Sequence, residues 1–123
     1  MKERITVIDD DKDLRSLLQI ALRIEGFDVV GYANGTEFLE AIKTAEPCSL
    51  YVIDINLGGV SGFELCEYLK SFEGTKSSFV ILISANPEVQ QLSKEVKADD
   101  YLLKPFSQKD LIQKITRLLE PQR

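Results

Sequence analysis

Five short apolar runs recur along the chain, separated by stretches of helical period, and this alternation narrows the fold more than any other feature. The runs cover residues 5–8, 27–32, 50–53, 79–83 and 101–103. Four of them are nearly continuous in β-branched and aliphatic residues, as strands are when both faces of a sheet are covered. The second carries Asp28 and Gly31, which places it at an edge. Between the runs, Leu14, Leu17, Leu18, Ala21 and Leu22 form one helical stripe, with Gly26 where a helix would stop. Phe38, Leu39, Ile42 and Ala45 form a second, ended by Pro47. Phe63, Leu65, Leu69 and Phe72 form a third, Val89, Leu92 and Val96 a short fourth, and Leu111, Ile112, Ile115, Leu118 and Leu119 the last.

Start signals agree with these stripes. Asn34, Ser61 and Ser107 each stand three residues before an acid (Glu37, Glu64 and Asp110), as capping residues do. Asn86-Pro87-Glu88 offers a cap, a proline for the first helical position and an acid that complements the dipole. Strict β-α alternation implies a parallel sheet with helices on both faces, because each crossover must be right-handed. With 123 residues, 44% of them apolar, there is material for one layered core and no second domain. The expectation is a single doubly wound (βα)5 unit over residues 1–123, without repeat, linker or low-complexity segment.

Composition excludes several functions. No apolar run approaches the roughly 18–20 residues of a membrane span, and Met1-Lys2-Glu3-Arg4 leads into a strand rather than a signal peptide. A net charge of −5 argues against direct nucleic-acid binding, which needs a basic face. Cys48 and Cys66 fit no metal spacing and read as small core residues, reduced in a cytoplasmic protein. The chain has no histidine. That removes Ser–His and Cys–His nucleophile pairs, a His-rich metal site and any role as a phosphohistidine donor.

The residues that follow the runs carry the chemistry. The first run ends in Asp9-Asp10-Asp11, the third in Asp54, the fourth in Ser84 and the fifth in Lys104-Pro105. In an open parallel sheet all of these lie at the carboxyl edge, where such folds bind ligands. Clustered carboxylates raise one another's pKa unless a cation intervenes. Oxygen ligands without His or Cys favour a hard ion, and a half-exposed site suits Mg²⁺ better than Zn²⁺. A lysine ammonium and a serine hydroxyl beside them are suited to phosphate oxygens. One carboxylate is left as nucleophile, so the residues read as an aspartyl-phosphate site.

At this point the chain resembles, over its whole length, the receiver domain of two-component response regulators. The resemblance rests on Val7-Ile8-Asp9-Asp10-Asp11, Tyr51-Val52-Ile53-Asp54-Ile55-Asn56-Leu57, Ile81-Leu82-Ile83-Ser84-Ala85 and Asp99-Asp100-Tyr101-Leu102-Leu103-Lys104-Pro105-Phe106. Each motif alone is modest; all four in order are specific. The resemblance implies a flavodoxin-like five-stranded parallel sheet of order 2-1-3-4-5, the arrangement for which receivers are themselves a standard example. It implies Asp54 as phosphoacceptor, with Asp9, Asp10, Asp54 and the backbone carbonyl of Asn56 around Mg²⁺. Ser84 and Tyr101 match the switch hydroxyl and the switch aromatic, Lys104 the phosphate-pairing lysine, and Lys104-Pro105 a cis peptide bond. The implied partners are a sensor histidine kinase or histidine phosphotransfer protein, a downstream effector protein or fused output domain, and a second copy in a phosphorylation-dependent homodimer. Neither a membrane nor direct contact with nucleic acid is among them.

Three departures stand out. Gly58 replaces a common proline after the acceptor, the stretch from Ser84 to Lys104 is shorter than the family spacing, and Lys97 occupies the usual glycine before Ala98. Simpler readings exist for single residues. One of Asp9, Asp10 and Asp11 is expected to cap the first helix. Ser84 alone would be a turn residue and Tyr101 plain packing. Asn56 and Asn86 match positions that tune phosphoryl lifetime, but loop and cap roles would explain them as well. Two other functions use similar residues. A haloacid-dehalogenase-like phosphatase would place its nucleophile first in a D-x-D pair, whereas here the acidic pair comes first and Asn56 stands two after Asp54. A pseudo-receiver docking module would not need the full set. The expected function is a phosphoryl-accepting switch acting through the face of the fourth helix, fifth strand and fifth helix. The sequence leaves a stand-alone regulator and the receiver part of a longer one equally open.

Overall fold

The computed structural model describes residues 2–120. The elements alternate without exception: β1 (Arg4–Ile8), α1 (Lys12–Ile24), β2 (Asp28–Tyr32), α2 (Gly35–Ile42), β3 (Leu50–Asp54), α3 (Gly62–Ser71), β4 (Phe79–Ser84), α4 (Val89–Glu95), β5 (Asp100–Leu103) and α5 (Gln108–Leu119). All five strands pair in parallel in the order β2-β1-β3-β4-β5. This is the flavodoxin-like arrangement, with β2, the strand that carries Asp28 and Gly31, at one edge and β5 at the other.

The period of two along each strand divides the core between the two faces. Leu50, Val52, Ile81 and Ile83 point to the side covered by Leu18 and Leu22 of α1 and Leu111 and Ile115 of α5. Tyr51, Ile53, Val80 and Leu82 point to the other side, against Phe38 of α2, Leu65 and Leu69 of α3 and Val89 of α4. Four helices start with side-chain caps: Asp11 for α1, Asn34 for α2, Ser61 for α3 in a reciprocal capping box with Glu64, and Ser107 for α5. Gly26 follows α1 at φ 100°. There its N–H and that of Phe27 reach back to the Arg23 and Leu22 carbonyls, a left-handed helix stop that suits glycine.

Four expectations need correction. Leu17 is exposed, because the stripe that α1 presents to the sheet is centred on Leu18 and Leu22. Phe72 leaves the α3 stripe and stacks on Tyr68 in solvent, the rings 5.5 Å apart. α2 ends at Ile42, well before Pro47, in turns onto the Ala41 carbonyl. Pro87 lies in the turn before α4, whose first residue is Val89. Both cysteines are buried free thiols, as expected. Among the described residues no helix is long and apolar enough to cross a membrane.

The closest approach of α3 to the sheet is made possible by Gly62. A Cβ there would stand 2.5 Å from the Asp54 carbonyl oxygen and 2.7 Å from Ile55 Cα, and backbone cannot yield as a side chain can. The Gly62 N–H also donates to the Ile55 carbonyl. Gly62→Ala should therefore lower stability by roughly 1–3 kcal/mol despite alanine's better helix propensity, read as a lower urea midpoint at unchanged slope. A midpoint equal to or above that of the parent would show that the β3–α3 junction is not tightly packed.

Candidate functional site

Four strands deliver their next polar residue to the same edge. Asp9 follows β1, donating its N–H to the Tyr32 carbonyl while its own carbonyl accepts from Arg15 Nη1 at 2.8 Å. Its Oδ1 accepts the Asp11 N–H at 2.9 Å. Asp11 is the residue that caps α1, its Oδ1 accepting from Asp13 and Leu14, and Asp10 is exposed. The three consecutive acids thus have three different environments.

Asp54 closes β3 in register with Ile83. Its Oδ1 accepts the Asn56 N–H at 2.9 Å and its Oδ2 accepts from Lys104 Nζ at 2.7 Å. Ser84 closes β4, its hydroxyl accepting the Asn86 N–H at 3.0 Å and its carbonyl accepting the Lys104 N–H at 2.8 Å. That last bond fastens the end of β5 beside the end of β4 and sets where the lysine stands. Lys104-Pro105 is cis, as the resemblance implied. Leu14, Ala85, Pro105 and Phe106 line an apolar groove beside the ammonium.

Asp9, Asp54 and Ser84 are buried to within a few per cent. Carboxylate oxygens of Asp9, Asp10 and Asp54 lie within 4.8 Å of one another, and Asp9 Oδ2 is buried with no hydrogen-bond partner among the described residues. The nearest cation to it, Lys104 Nζ, is 3.9 Å away. Burial, reinforced by the Asp54 and Asp10 charges, pushes the Asp9 carboxyl up to about 6 against the pull of the Asp11 N–H and Lys104. For Lys104, burial works against the charge, but the Asp54 bond and the surrounding carboxylates overcome it and raise its pKa. An orphaned anionic oxygen among three converging carboxylates fits a hard divalent cation.

Tyr101 stands apart from this cluster. It is half-buried in β5 and packs against the core on the α4 side. Lys114 Nζ lies over its ring at 5.6 Å and pairs with Asp100 at 2.9 Å. Asn86 Oδ1 accepts the Glu88 N–H, a local cap. Several contributors were not foreseen. Arg15 is one, although a base in the first turn of a helix, where the dipole disfavours it, was a signal. The Asn56 N–H, the close approach at Gly62 and Lys114 depend on three-dimensional proximity and left no trace in spacing.

The family model for the response regulator receiver domain matches residues 5–116. The DNA-binding response regulator MtrA of Mycobacterium tuberculosis is 35% identical over 117 residues, covering 94% of this chain and 50% of the relative. The transcriptional regulatory protein GltR of Pseudomonas aeruginosa is 34% identical, covering 94% and 48%. The chain spans about half the length of the curated relatives it matches. Among solved structures, the Thermotoga maritima response regulator TrrA in complex with Mg²⁺-BeF superposes with a TM-score of 0.84 at 32% identity, covering 97% of this chain and all of that one. The BeF3-activated DrrB receiver domain, from the same organism, gives 0.87 at 31%, covering 98% and 100%.

The buried Asp9 carboxyl lowers the stability of the metal-free protein. Because Asp9 titrates near 6 when folded and near 3.8 ordinarily, the unfolded chain gives up this proton first as pH rises. Asp9 therefore costs nothing below the lower value, and its penalty grows through that window to a plateau above it. Asp9→Asn should stabilise the protein in EDTA by about 1–3 kcal/mol near neutral pH, a gain that fades towards about pH 4. Urea denaturation of both proteins across that range checks it; a gain independent of pH, or a loss, would contradict the electrostatic origin.

Proposed function

The chain belongs to the response regulator receiver domain family, and from that premise we propose that Asp54 is its phosphoacceptor and that residues 1–123 work as one phosphorylation switch. The observation that carries this reading is the junction at Asp54, where a buried carboxylate meets Lys104 at 2.7 Å within 4.8 Å of two further carboxylates. An Asp54 carboxylate oxygen attacks the phosphorus of a phosphohistidine on a sensor kinase or histidine phosphotransfer protein. A P–O bond forms, the P–N bond breaks, and the released imidazole takes up a proton. Water later cleaves the acyl phosphate and regenerates the carboxylate.

Asp9, Asp10, Asp54 and the Asn56 carbonyl would hold Mg²⁺, which when bound neutralises phosphoryl oxygen charge. The Mg²⁺-BeF ligand of TrrA supports that assignment. Lys104 pairs with the phosphoryl group, and the Ser84 hydroxyl turns from the Asn86 N–H to donate to a phosphoryl oxygen. Tyr101 follows, altering the face built from α4, β5 and α5. Asn56 and Asn86 flank the group and tune its lifetime. The groove of Leu14, Ala85, Pro105 and Phe106 gives the donor an apolar approach beside the acceptor.

The output is a downstream effector or a fused domain, in keeping with relatives named as DNA-binding and transcriptional regulators. It includes a phosphorylation-dependent homodimer, in a cytoplasmic setting. The receiver itself is a switch and not a turnover enzyme.

Incubation with acetyl phosphate and Mg²⁺, followed by intact-mass measurement, should give one phosphoryl adduct. Asp54→Asn and EDTA should each abolish it. An adduct that survives Asp54→Asn would reassign the acceptor, and steady turnover of a phosphate ester would favour a phosphatase. No adduct in protein shown to bind Mg²⁺ would leave a docking module.

A further inference from the structure

We propose that α4 opens as a local unit of the folded protein while the sheet and the other four helices stay intact. Each end of this helix, and its buried face, lacks something its neighbours have. It is 7 residues long, too short to persist without tertiary support. Glu88 precedes it with helical backbone angles and caps nothing with its own side chain. The one side-chain bond at this end, Asn86 Oδ1 accepting the Glu88 N–H, lies in the turn before the helix, so the first turn of α4 has no side-chain acceptor of the kind that starts the other four helices. At its far end Lys97 adopts φ 62°, closing the turn through Lys97 N–H to the Lys94 carbonyl and Ala98 N–H to the Ser93 carbonyl. That left-handed position suits glycine and strains a residue with a Cβ. On the buried face, Ser93 is 3% exposed and its Oγ has no partner among the described residues.

What holds the end of α4 is weak too. The Cys66 thiol, on α3, donates to the Val96 carbonyl at 3.5 Å, and a thiol is a poor donor. Cys66 is fully buried beneath that contact, and burial pushes its pKa up to about 12, so in the closed form it does not react as a thiolate. Opening of α4 uncovers it. Opening also loosens the turn in which the Val89 N–H meets the Asn86 carbonyl and the Asn86 N–H holds the Ser84 hydroxyl. The consequence for Ser84 rests on the role proposed for it above; the opening itself rests only on the fold.

The test is alkylation of the folded protein by iodoacetamide with no phosphodonor present. Cys66 and Cys48 are resolved by peptide mass spectrometry, and global stability is measured in parallel. Cys66 should label at a rate that stays flat in low urea, because a local opening exposes little surface. Lys97→Gly should slow that rate roughly five- to tenfold by relieving the left-handed strain, and Ser93→Ala should slow it as well. A Cys66 rate that rises with urea from the outset along the global slope would overturn the proposal. So would a rate no faster than global unfolding allows, or one unchanged by Lys97→Gly. The experiment uses no phosphoryl chemistry, so its failure leaves the Asp54 assignment standing, and a failed phosphorylation would leave this inference standing.

Discussion

The Lys104 ammonium against the Asp54 carboxylate, 2.7 Å apart across 50 positions of sequence, is the contact on which the arrangement of the site depends. It forms only when β3, β4 and β5 lie parallel and in register, with the end of β5 tied to the Ser84 carbonyl. One cation cannot answer three carboxylates. Lys104 bonds Asp54 and stands beyond hydrogen-bond distance of Asp9, so the buried Asp9 is left unanswered, its Oδ2 sealed from water without a partner among the described residues. Burying such a group is unfavourable unless something neutralises it. The site therefore has an intrinsic demand for positive charge, set by topology, before any ligand arrives.

The rest of the molecule supplies the rigidity needed to keep those charges together. Every strand of the sheet's interior is clothed on both faces, and the alternation of side chains gives each face its own helices. The first turn of α1 is organised around the acids themselves: Asp11 caps it, and Arg15, against the dipole preference, returns to the Asp9 carbonyl. Next to β3, α3 lies so close that only a glycine fits. These contacts restrain Asp9 and Asp54 through backbone, which is less compliant than side-chain packing.

Much of this was legible in the order of residue types. Buried parallel strands are read from continuous apolar runs, and the residue after each run is placed at one edge by topology alone; hence Asp9, Asp54, Ser84 and Lys104 were found together. The cap at Ser61 followed from local chemistry. Spacing says little about rotation and termination, so it groups Leu17 and Phe72 into stripes from which the folded helices exclude them. It says nothing of contacts between distant segments, and Lys114 over Tyr101 or Gly62 against Asp54 left no periodic signal. Lys97 in place of a glycine was visible, but that the backbone there keeps the left-handed conformation was not.

An asymmetry follows when the two sides of the acceptor are compared. Asp54 is bounded by α3, whose start is capped reciprocally and whose approach is set by backbone contact. Ser84 is bounded by the turn into α4, a helix whose first turn has no side-chain acceptor, whose exit is strained and whose buried Ser93 hydroxyl has no partner among the described residues. The two residues sit on adjacent strands, so a loss of order on one side need not disturb the other. A carboxylate that must receive a group in line gains from being fixed, whereas a hydroxyl that must leave one partner for another gains from a support with little free energy holding it. The sequence differences that separate α3 from α4 are a glycine where backbone must approach and a lysine where a glycine would relax it. These small local choices place rigidity and compliance on opposite sides of one site.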